Sequence, residues 1–296
     1  MDFMTSMCSP CQVNLIQSAM EKFTRMQDPG LETSYKCPKC RNCNDCLRGA
    51  EKEKLTMKQE AEQDLIRSSV RIDMDQNRAF ALLAFIEKPE LCLKDNSHIA
   101  IRRLQNICKK YGSDGNVRKM ISKGFQKLID RGHIILFDML NATQRKNVSK
   151  AKVSYTIPWD ISFKESSLST PARPMFDASS RTAGGTSLND ILAKGTADLV
   201  DLVSMVMNWV AGPCAIAGDI IQFYNTVLLE EEHWPFQKVV WYPDMDTSQP
   251  LMYGIIKTLI YGVRCMGTQT EEVMKLLADA VKREFPHVAT LLEKLR

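Results

Sequence analysis

With 296 residues, of which 44% are hydrophobic and 25% charged, the chain is long enough for two modest domains or one large one, and its composition is that of a soluble globular protein. Its net charge of +4 is mild. No apolar run approaches the roughly 18 residues that span a bilayer, and the N-terminal MDFMTSMCSPC lacks the basic start and apolar core of a signal peptide, so we expect no membrane partner and an intracellular protein.

Residues 1–50 are predicted to form a Cys-rich head, because they hold six of the ten cysteines and show little apolar periodicity. Cys8 and Cys11 make one pair. The other four cysteines follow at intervals of three residues: Cys37, Cys40, Cys43 and Cys46. Thiolates at this spacing bind Zn²⁺ tetrahedrally, so we expect zinc, with an iron–sulfur cluster or a head without metal as the alternatives. With so few apolar groups, the head would not fold alone without its metal.

Residues 51–150 are predicted to be a helical and basic region that leads into the rest of the chain. HIAIRRLQNICKKY and NVRKMISKGFQKLIDRGHI carry apolar residues at helical spacing, and Gly132 ends the second of these helices. Between positions 101 and 152 there are 13 Lys or Arg residues against 3 Asp or Glu residues. This excess suits a polyanion such as nucleic acid, and a solvated helix face is the alternative.

From position 151 onward, short extended segments alternate with helical ones. VSYTIPWDISF and ARPMFDAS predict strands, and so do FQKVVWYPDMD and LMYGIIKTLIYGV. TEEVMKLLADAVKREF predicts an amphipathic helix that is capped by Thr270. Because helices and strands are interleaved on one body, the predicted fold class is α+β.

One carboxylate, Asp219, lies inside the otherwise apolar run AIAGDIIQFYNTVLL. A buried charge is costly unless it is paired or holds a metal. A carboxylate at the end of a strand, followed five residues later by the aromatic Tyr224, suits nucleotidyl transfer, which uses divalent ions held by carboxylates. Mg²⁺ also accepts a backbone carbonyl, which Ile220 could offer. The alternative is a carboxylate that forms a cap or an ion pair at the strand end.

The order of several motifs resembles the reverse transcriptase of Pao/BEL-type LTR retrotransposons. RPMFDAS, GTSLND, GDIIQFYNTVLLEEEHWPFQKVVW and YGIIKTLIYGV follow one another as in that family, after TIPWDISFKESS and the upstream EQDLIRSSVRID. The resemblance covers residues 55–296. It implies a palm of antiparallel strands backed by helices, with residues 151–296 as the fingers and part of the palm. It also implies an RNA template, a DNA primer and dNTP as partners, in the cytoplasm or in retroelement particles.

The resemblance assigns a role to several residues. Asp219 would be the first catalytic carboxylate and a ligand of Mg²⁺, together with the Ile220 carbonyl, and Tyr224 would be the steric gate against ribonucleotides. Arg173 would contact the incoming triphosphate, because a guanidinium fork matches phosphate oxygens. The remaining roles are loop geometry for Asp177 and Asn189, the nucleotide pocket for Tyr261 and Gly262, and a second phosphate contact for Lys164.

The sequence departs from the family pattern at two places. Arg264 follows Tyr261-Gly262-Val263, where the family has a Ser-Ser-Pro turn. The aromatic-x-Asp-Asp motif, which supplies two further metal ligands, does not occur in residues 1–296, and YPDMD at 242–246 is predicted to be a turn and not a substitute. We therefore expect a reverse transcriptase fragment, truncated before that motif and inactive alone. The alternative function is a non-catalytic nucleic-acid-binding protein, derived from a retroelement, with a zinc-binding head.

Overall fold

A computed structural model describes residues 57–164, 171–196, 206–207, 220–282 and 285–286. The chain divides into two compact units, residues 1–55 and residues 56–296, and every described residue belongs to the second unit. The Cys-rich head, with Cys37, Cys40, Cys43 and Cys46, therefore lies outside the described residues. Its zinc site stays a prediction.

The second unit combines α-helices with short strands, so the predicted α+β class is confirmed. Its described helices are α1 (Met57–Ser68), α2 (Pro89–Cys92), α3 (Ser97–Tyr111), α4 (Gly115–Asp130), α5 (Ala142–Lys150) and α6 (Met266–Val281). Its described strands are β1 (Val70–Asp73), β2 (Arg78–Ala81), β3 (Ile134–Leu136), β4 (Trp159–Phe163), β5 (Ala172–Phe176), β6 (Val227–Leu229), β7 (Lys238–Trp241) and β8 (Met252–Ile256).

The strands form three small sheets in the described part of the chain. In the first, β2 pairs with β1 in antiparallel and with β6 in parallel orientation. The second has the order β3–β8–β7 and is antiparallel throughout. The third is the antiparallel hairpin of β4 and β5. Antiparallel pairing is thus the main arrangement, as predicted, but the β2–β6 pair is parallel.

Helix α4 forms where the apolar periodicity predicts it. The Asp114 side chain accepts hydrogen bonds from the backbone N–H groups of Asn116 and Val117, which satisfies two of the free donors at the helix start. Gly132 follows the helix with a φ of +71°, the left-handed conformation that ends many helices. The helix buries Ile121 and Phe125 on the face that the sequence pattern indicates.

Helix α6 begins four residues before the predicted cap, so the prediction for Thr270 is wrong. The helix starts at Met266, and the Thr270 hydroxyl donates to the carbonyls of Met266 and Gly267 inside the helix. A threonine that bonds backward to the preceding turn cannot also cap a helix start. Burial of Met266 in the core extends the helix in the N-terminal direction.

The core between the hairpin and the second sheet is aromatic. Phe125 of α4 stacks on Trp241 of β7, with ring centroids 4.5 Å apart and an interplanar angle of 5°. Trp159 of β4 packs against Phe125 at 5.0 Å, and its indole N–H donates to the Val240 carbonyl at 2.9 Å. These contacts attach the β4–β5 hairpin to α4 and to the antiparallel sheet, because all of these rings are buried together.

Four cysteines follow the head, at positions 92, 108, 214 and 265. Cys108 and Cys265 are buried, and burial raises the pKa of each thiol to about 11, so both are protonated at neutral pH. Cys92 is half-buried, and Cys214 lies outside the described residues.

None of the described helices is long and apolar enough to cross a membrane.

Candidate nucleotide-binding site

Arg173 lies on the solvent face of the β4–β5 hairpin. The register sets Arg173 opposite Ser162 and Phe176 opposite Trp159, and directly opposed residues project from the same face of an antiparallel pair. Trp159 is buried in the core, so the alternation of the strands turns Arg173 outward, where it is exposed. No described carboxylate forms an ion pair with Arg173. Its guanidinium is therefore available to an anionic ligand.

Lys164, predicted as a second phosphate contact, follows the end of β4. Its backbone N–H donates to the Pro171 carbonyl at 2.8 Å, which continues the hairpin ladder by one pair. The side chain of Lys164 is exposed. Lys164 and Arg173 thus belong to the same hairpin, but no described contact joins them.

Asn189 connects the loop after β5 to the segment after β8. Its side-chain amide donates to the Gly262 carbonyl and to the Ser179 hydroxyl, both at 2.8 Å. Its side-chain oxygen accepts from the backbone N–H of Arg264 at 2.9 Å. One amide side chain thereby joins two of the motif segments on which the family resemblance rests, which are 73 residues apart in the chain.

Asp177 is held at the end of β5 by a short ion pair. Its carboxylate lies 2.6 Å from a guanidinium nitrogen of Arg103 on α3, and both side chains are about one third exposed. Its other oxygen accepts the Ser179 backbone N–H at 3.0 Å. Asp177 therefore ties α3 to the loop that carries Asn189.

Gly262 occupies a position that only glycine fits. Its φ is +98°, a backbone conformation that side chains with a Cβ rarely adopt. A Cβ at this position would overlap the carbonyl oxygen of Phe176, the last residue of β5. The absence of a side chain brings the segment after β8 into direct contact with the end of the β4–β5 hairpin.

Tyr224 and Tyr261, the two aromatic residues that the resemblance assigns to the pocket, are in contact. Their ring centroids are 4.3 Å apart with an interplanar angle of 57°. Tyr261 is 61% exposed, whereas Tyr224 is half-buried, and burial followed by the charges of Tyr261 and Glu271 raises the pKa of Tyr224. The phenol of Tyr224 is therefore neutral at physiological pH, and the exposed face of Tyr261 offers a surface for stacking.

Asp219 lies outside the described residues, so its position as a metal ligand stays a prediction. The next residue, Ile220, is described, with a side chain that is 48% exposed. It opens a turn that leads into the 3₁₀-helix Phe223–Thr226 and does not belong to a strand. From Ile220 onward the described residues form no strand before β6, and the predicted strand with Asp219 lies outside the described residues.

Two side chains that the sequence interpretation missed hold this turn. Gln222 has a φ of +54°, and its side-chain oxygen lies 3.3 Å from the Nε2 of His133, which follows α4. Burial lowers the pKa of His133, so the ring is neutral at physiological pH. The amide of Asn225 donates to the Thr258 hydroxyl at 3.0 Å. No local sequence signal connects these positions, because the partners come from distant segments.

The segment 242–246 is the turn that the sequence predicts. Pro243–Met245 forms a 3₁₀-helix, in which Asp244 has a φ of +52°. Asp246 accepts from the backbone N–H of Ser248 at 2.9 Å, and this hydrogen bonding lowers the pKa of Asp246. Both acids therefore belong to the turn itself.

Among the described residues, no group of three or more His, Cys, Asp and Glu side chains is arranged to hold a metal ion. Comparison with known proteins adds no identification, since no family model and no curated protein matches the sequence. The arrangement around Gly262 therefore has to be interpreted from its own chemistry. Tyr224 and Tyr261 form an aromatic pair beside Gly262, a glycine that allows close approach to Phe176, and the unpaired Arg173 lies on the same strand as Phe176.

Proposed function

We propose that the chain is the fingers and part of the palm of an RNA-directed DNA polymerase of the Pao/BEL retrotransposon type, and that it binds dNTP next to Gly262. The observation that carries the proposal is the hydrogen bond from Asn189 to Gly262, together with the ring contact of Tyr224 and Tyr261. These contacts join segments that are distant in the chain and that the resemblance assigns to one pocket.

The chemistry of these side chains suits a nucleoside triphosphate. A guanidinium presents its donors in a fork that matches two phosphate oxygens, and Arg173 is exposed and free of a described carboxylate partner. An aromatic ring can stack on a base or a sugar, and Tyr261 exposes most of its surface. Mg²⁺, held by Asp219 and the Ile220 carbonyl, would neutralise charge on the triphosphate.

A second candidate function is non-catalytic binding of nucleic acid, with the predicted zinc head as an added element. It is favoured by the charge of the region 101–152. Of its 13 Lys and Arg residues, only Arg103 forms an ion pair with a described carboxylate. Such an unpaired basic surface attracts phosphates of any sequence. This function would need no dNTP, and that difference separates the two candidates.

The test is a titration of a fluorescent dNTP analogue into the protein with Mg²⁺ and saturating RNA–DNA primer–template. Arg173→Ala is compared with Arg102→Ala, which removes an exposed arginine from α3. A hydrogen bond to a charged group contributes about 1.5–3 kcal/mol, so Arg173→Ala should weaken dNTP binding by roughly 10- to 100-fold. Arg102→Ala should bind the nucleotide as the wild type does.

Two results would contradict the proposed polymerase origin of this site. One is a wild-type protein that binds the primer–template but no dNTP, which would support the non-catalytic function. The other is an equal loss of dNTP affinity in Arg102→Ala and Arg173→Ala, which would mean that general positive charge and not a defined contact holds the nucleotide.

A further inference from the structure

Helix α4 carries a row of lysines along an open groove that the family resemblance does not use. Lys119, Lys123 and Lys127 follow one another at four-residue intervals, and all three line a groove of about 640 Å³. The opposite side of the groove includes Ala172 at the start of β5 and Asp244 of the 3₁₀-helix after β7. The groove is therefore formed by three separate segments of the fold.

The packing of α4 sets the lysine row beside the hairpin. The helix buries Ile121 and Phe125, and it approaches β5 closely at Gly124. A Cβ on Gly124 would lie only 2.6 Å from the Ala172 carbonyl oxygen. Because glycine allows this approach, the lysines on the neighbouring face stand at the edge of the groove and not over the core.

The charge of the groove is positive, because its three lysines outnumber its two carboxylates. None of the three lysines forms an ion pair with a described carboxylate. Two carboxylates also line the groove, but each accepts a hydrogen bond from a neutral side chain: Gln126 donates to Asp130 at 2.8 Å and Ser122 donates to Asp244 at 3.3 Å. With three ammonium groups against two carboxylates, the groove retains an excess positive charge.

The length of the row matches a nucleic-acid strand. Eight helical residues separate Lys119 from Lys127, a rise of about 12 Å. A strand of a nucleic-acid double helix presents one phosphate per about 3.4 Å of axis, so the row faces three or four consecutive phosphates. Ammonium groups contact phosphates as point charges and read no base.

We propose that the α4 groove binds the phosphate backbone of a nucleic-acid strand, independently of its sequence, through Lys119, Lys123 and Lys127. The proposal rests on the proposed function only in that both take nucleic acid as a partner. It assigns this contact to a surface on which no dNTP-binding residue lies.

The test measures the salt dependence of binding to a fluorescent oligouridylate RNA by anisotropy. The triple variant K119Q/K123Q/K127Q removes the row, and glutamine retains the helix propensity of lysine. Each phosphate contact on a single strand contributes about 0.7 to the slope of log Kd against log salt concentration, so the slope should fall by about 2. Between about 50 and about 200 mM KCl, wild-type binding should weaken roughly 20-fold more than variant binding.

A matched control removes the same charge elsewhere. K58Q/K88Q/K94Q changes three exposed lysines outside the basic region 101–152, one in α1 and two beside α2. Its slope should stay within a few tenths of the wild-type value, and thermal unfolding of both triple variants should match that of the wild type. An unchanged slope in the α4 variant overturns the proposal. An equal fall in both variants, or a wild-type protein that does not bind the RNA, also overturns it.

The RNA titration and the dNTP titration together separate this proposal from the proposed function. If the wild type binds RNA through α4 but takes no dNTP, the groove is retained and the polymerase assignment fails. If Arg173→Ala weakens dNTP binding but the α4 triple variant binds RNA as the wild type does, the polymerase assignment is retained and the proposal for the α4 groove is wrong.

Discussion

Among the exposed glycines that the structure describes, Gly262 is the one at which a change to alanine should destabilise the fold most. The substitution adds one methyl group at a backbone φ of +98°. That methyl group would overlap the carbonyl oxygen of Phe176, which is backbone and cannot rotate away. Two separate costs therefore act at this position.

Both costs can be assigned an order of magnitude. A residue with a Cβ in a left-handed conformation costs about 1–2 kcal/mol. Forcing an extra methyl group into a packed site costs about 1–3 kcal/mol more. The free energy of unfolding should therefore fall by about 2–5 kcal/mol, which is a large share of the roughly 5–15 kcal/mol that is typical of a folded domain.

Urea unfolding, followed by tryptophan fluorescence, measures this loss, and two other glycines supply controls. Gly185 also has a positive φ, +82°, but a Cβ there meets nothing within 4 Å, so Gly185→Ala isolates the backbone cost. Gly115 begins α4 in open space, so Gly115→Ala should be neutral or slightly stabilising. The expected order of destabilisation is Gly262, then Gly185, then Gly115.

A Gly262→Ala protein as stable as Gly185→Ala would contradict this expectation. That result would mean that the segment after β8 does not press against the end of β5. If the loss is seen, dNTP affinity should fall in the same variant even under conditions where it is fully folded, because the close approach at Phe176 would be lost.

Three further predictions concern an ion pair, a histidine and catalysis. The Arg103–Asp177 ion pair is about one third exposed. A double-mutant cycle with Arg103→Ala and Asp177→Asn should therefore give a coupling energy of about 1 kcal/mol. A coupling energy near zero would contradict the role of this pair in anchoring α3. Burial lowers the pKa of His233 to about 4, and its Nδ1 accepts the Leu83 backbone N–H, so the folded state holds the neutral ring. Its stability should be intact above the unfolded pKa of about 6.5 and should fall as the pH drops toward 4, by about 2 kcal/mol between pH 7 and pH 4.5. His233→Asn retains a hydrogen-bond acceptor but does not titrate, so the urea midpoints of this variant should not show the loss of stability at low pH. A loss that persists in His233→Asn would come from other titrating groups. In a primer-extension assay with Mg²⁺ or Mn²⁺, neither residues 1–296 nor the Asp219→Asn variant should extend a primer, and extension that vanishes in Asp219→Asn would show that another acid completes the metal site.

The sequence predicts the elements of this fold better than their contacts. Helix α4 follows from local signals, since the Asp114 cap, the apolar spacing and Gly132 all lie within about one element length. The start of α6 does not follow from local signals. Thr270 resembles a helix cap, but its hydroxyl donates to the Met266 carbonyl inside the helix, and Met266 is buried. At this helix end, tertiary packing overrides the local preference of the sequence for a cap at Thr270.

The same limit applies to the candidate site. The motif order names Asn189 and Gly262, but their hydrogen bond spans 73 residues and follows from no local pattern. His133 and Gln222 are 89 residues apart, and neither belongs to a motif, so their contact could not be predicted. Non-local contacts of this kind depend on how the strands pair, as in the parallel β2–β6 pair.

The most direct test of the proposed site is hydrogen exchange of the wild-type protein, measured with and without primer–template, Mg²⁺ and dNTP. Addition of dNTP to the complex with primer–template should protect the backbone of segments 171–177, 220–226 and 259–264, which carry Arg173, Tyr224 and Gly262. If dNTP addition protects none of these segments, while nucleic acid still protects α3, α4 or α5, a nucleotide site at Gly262 is contradicted and a nucleic-acid-binding protein is left.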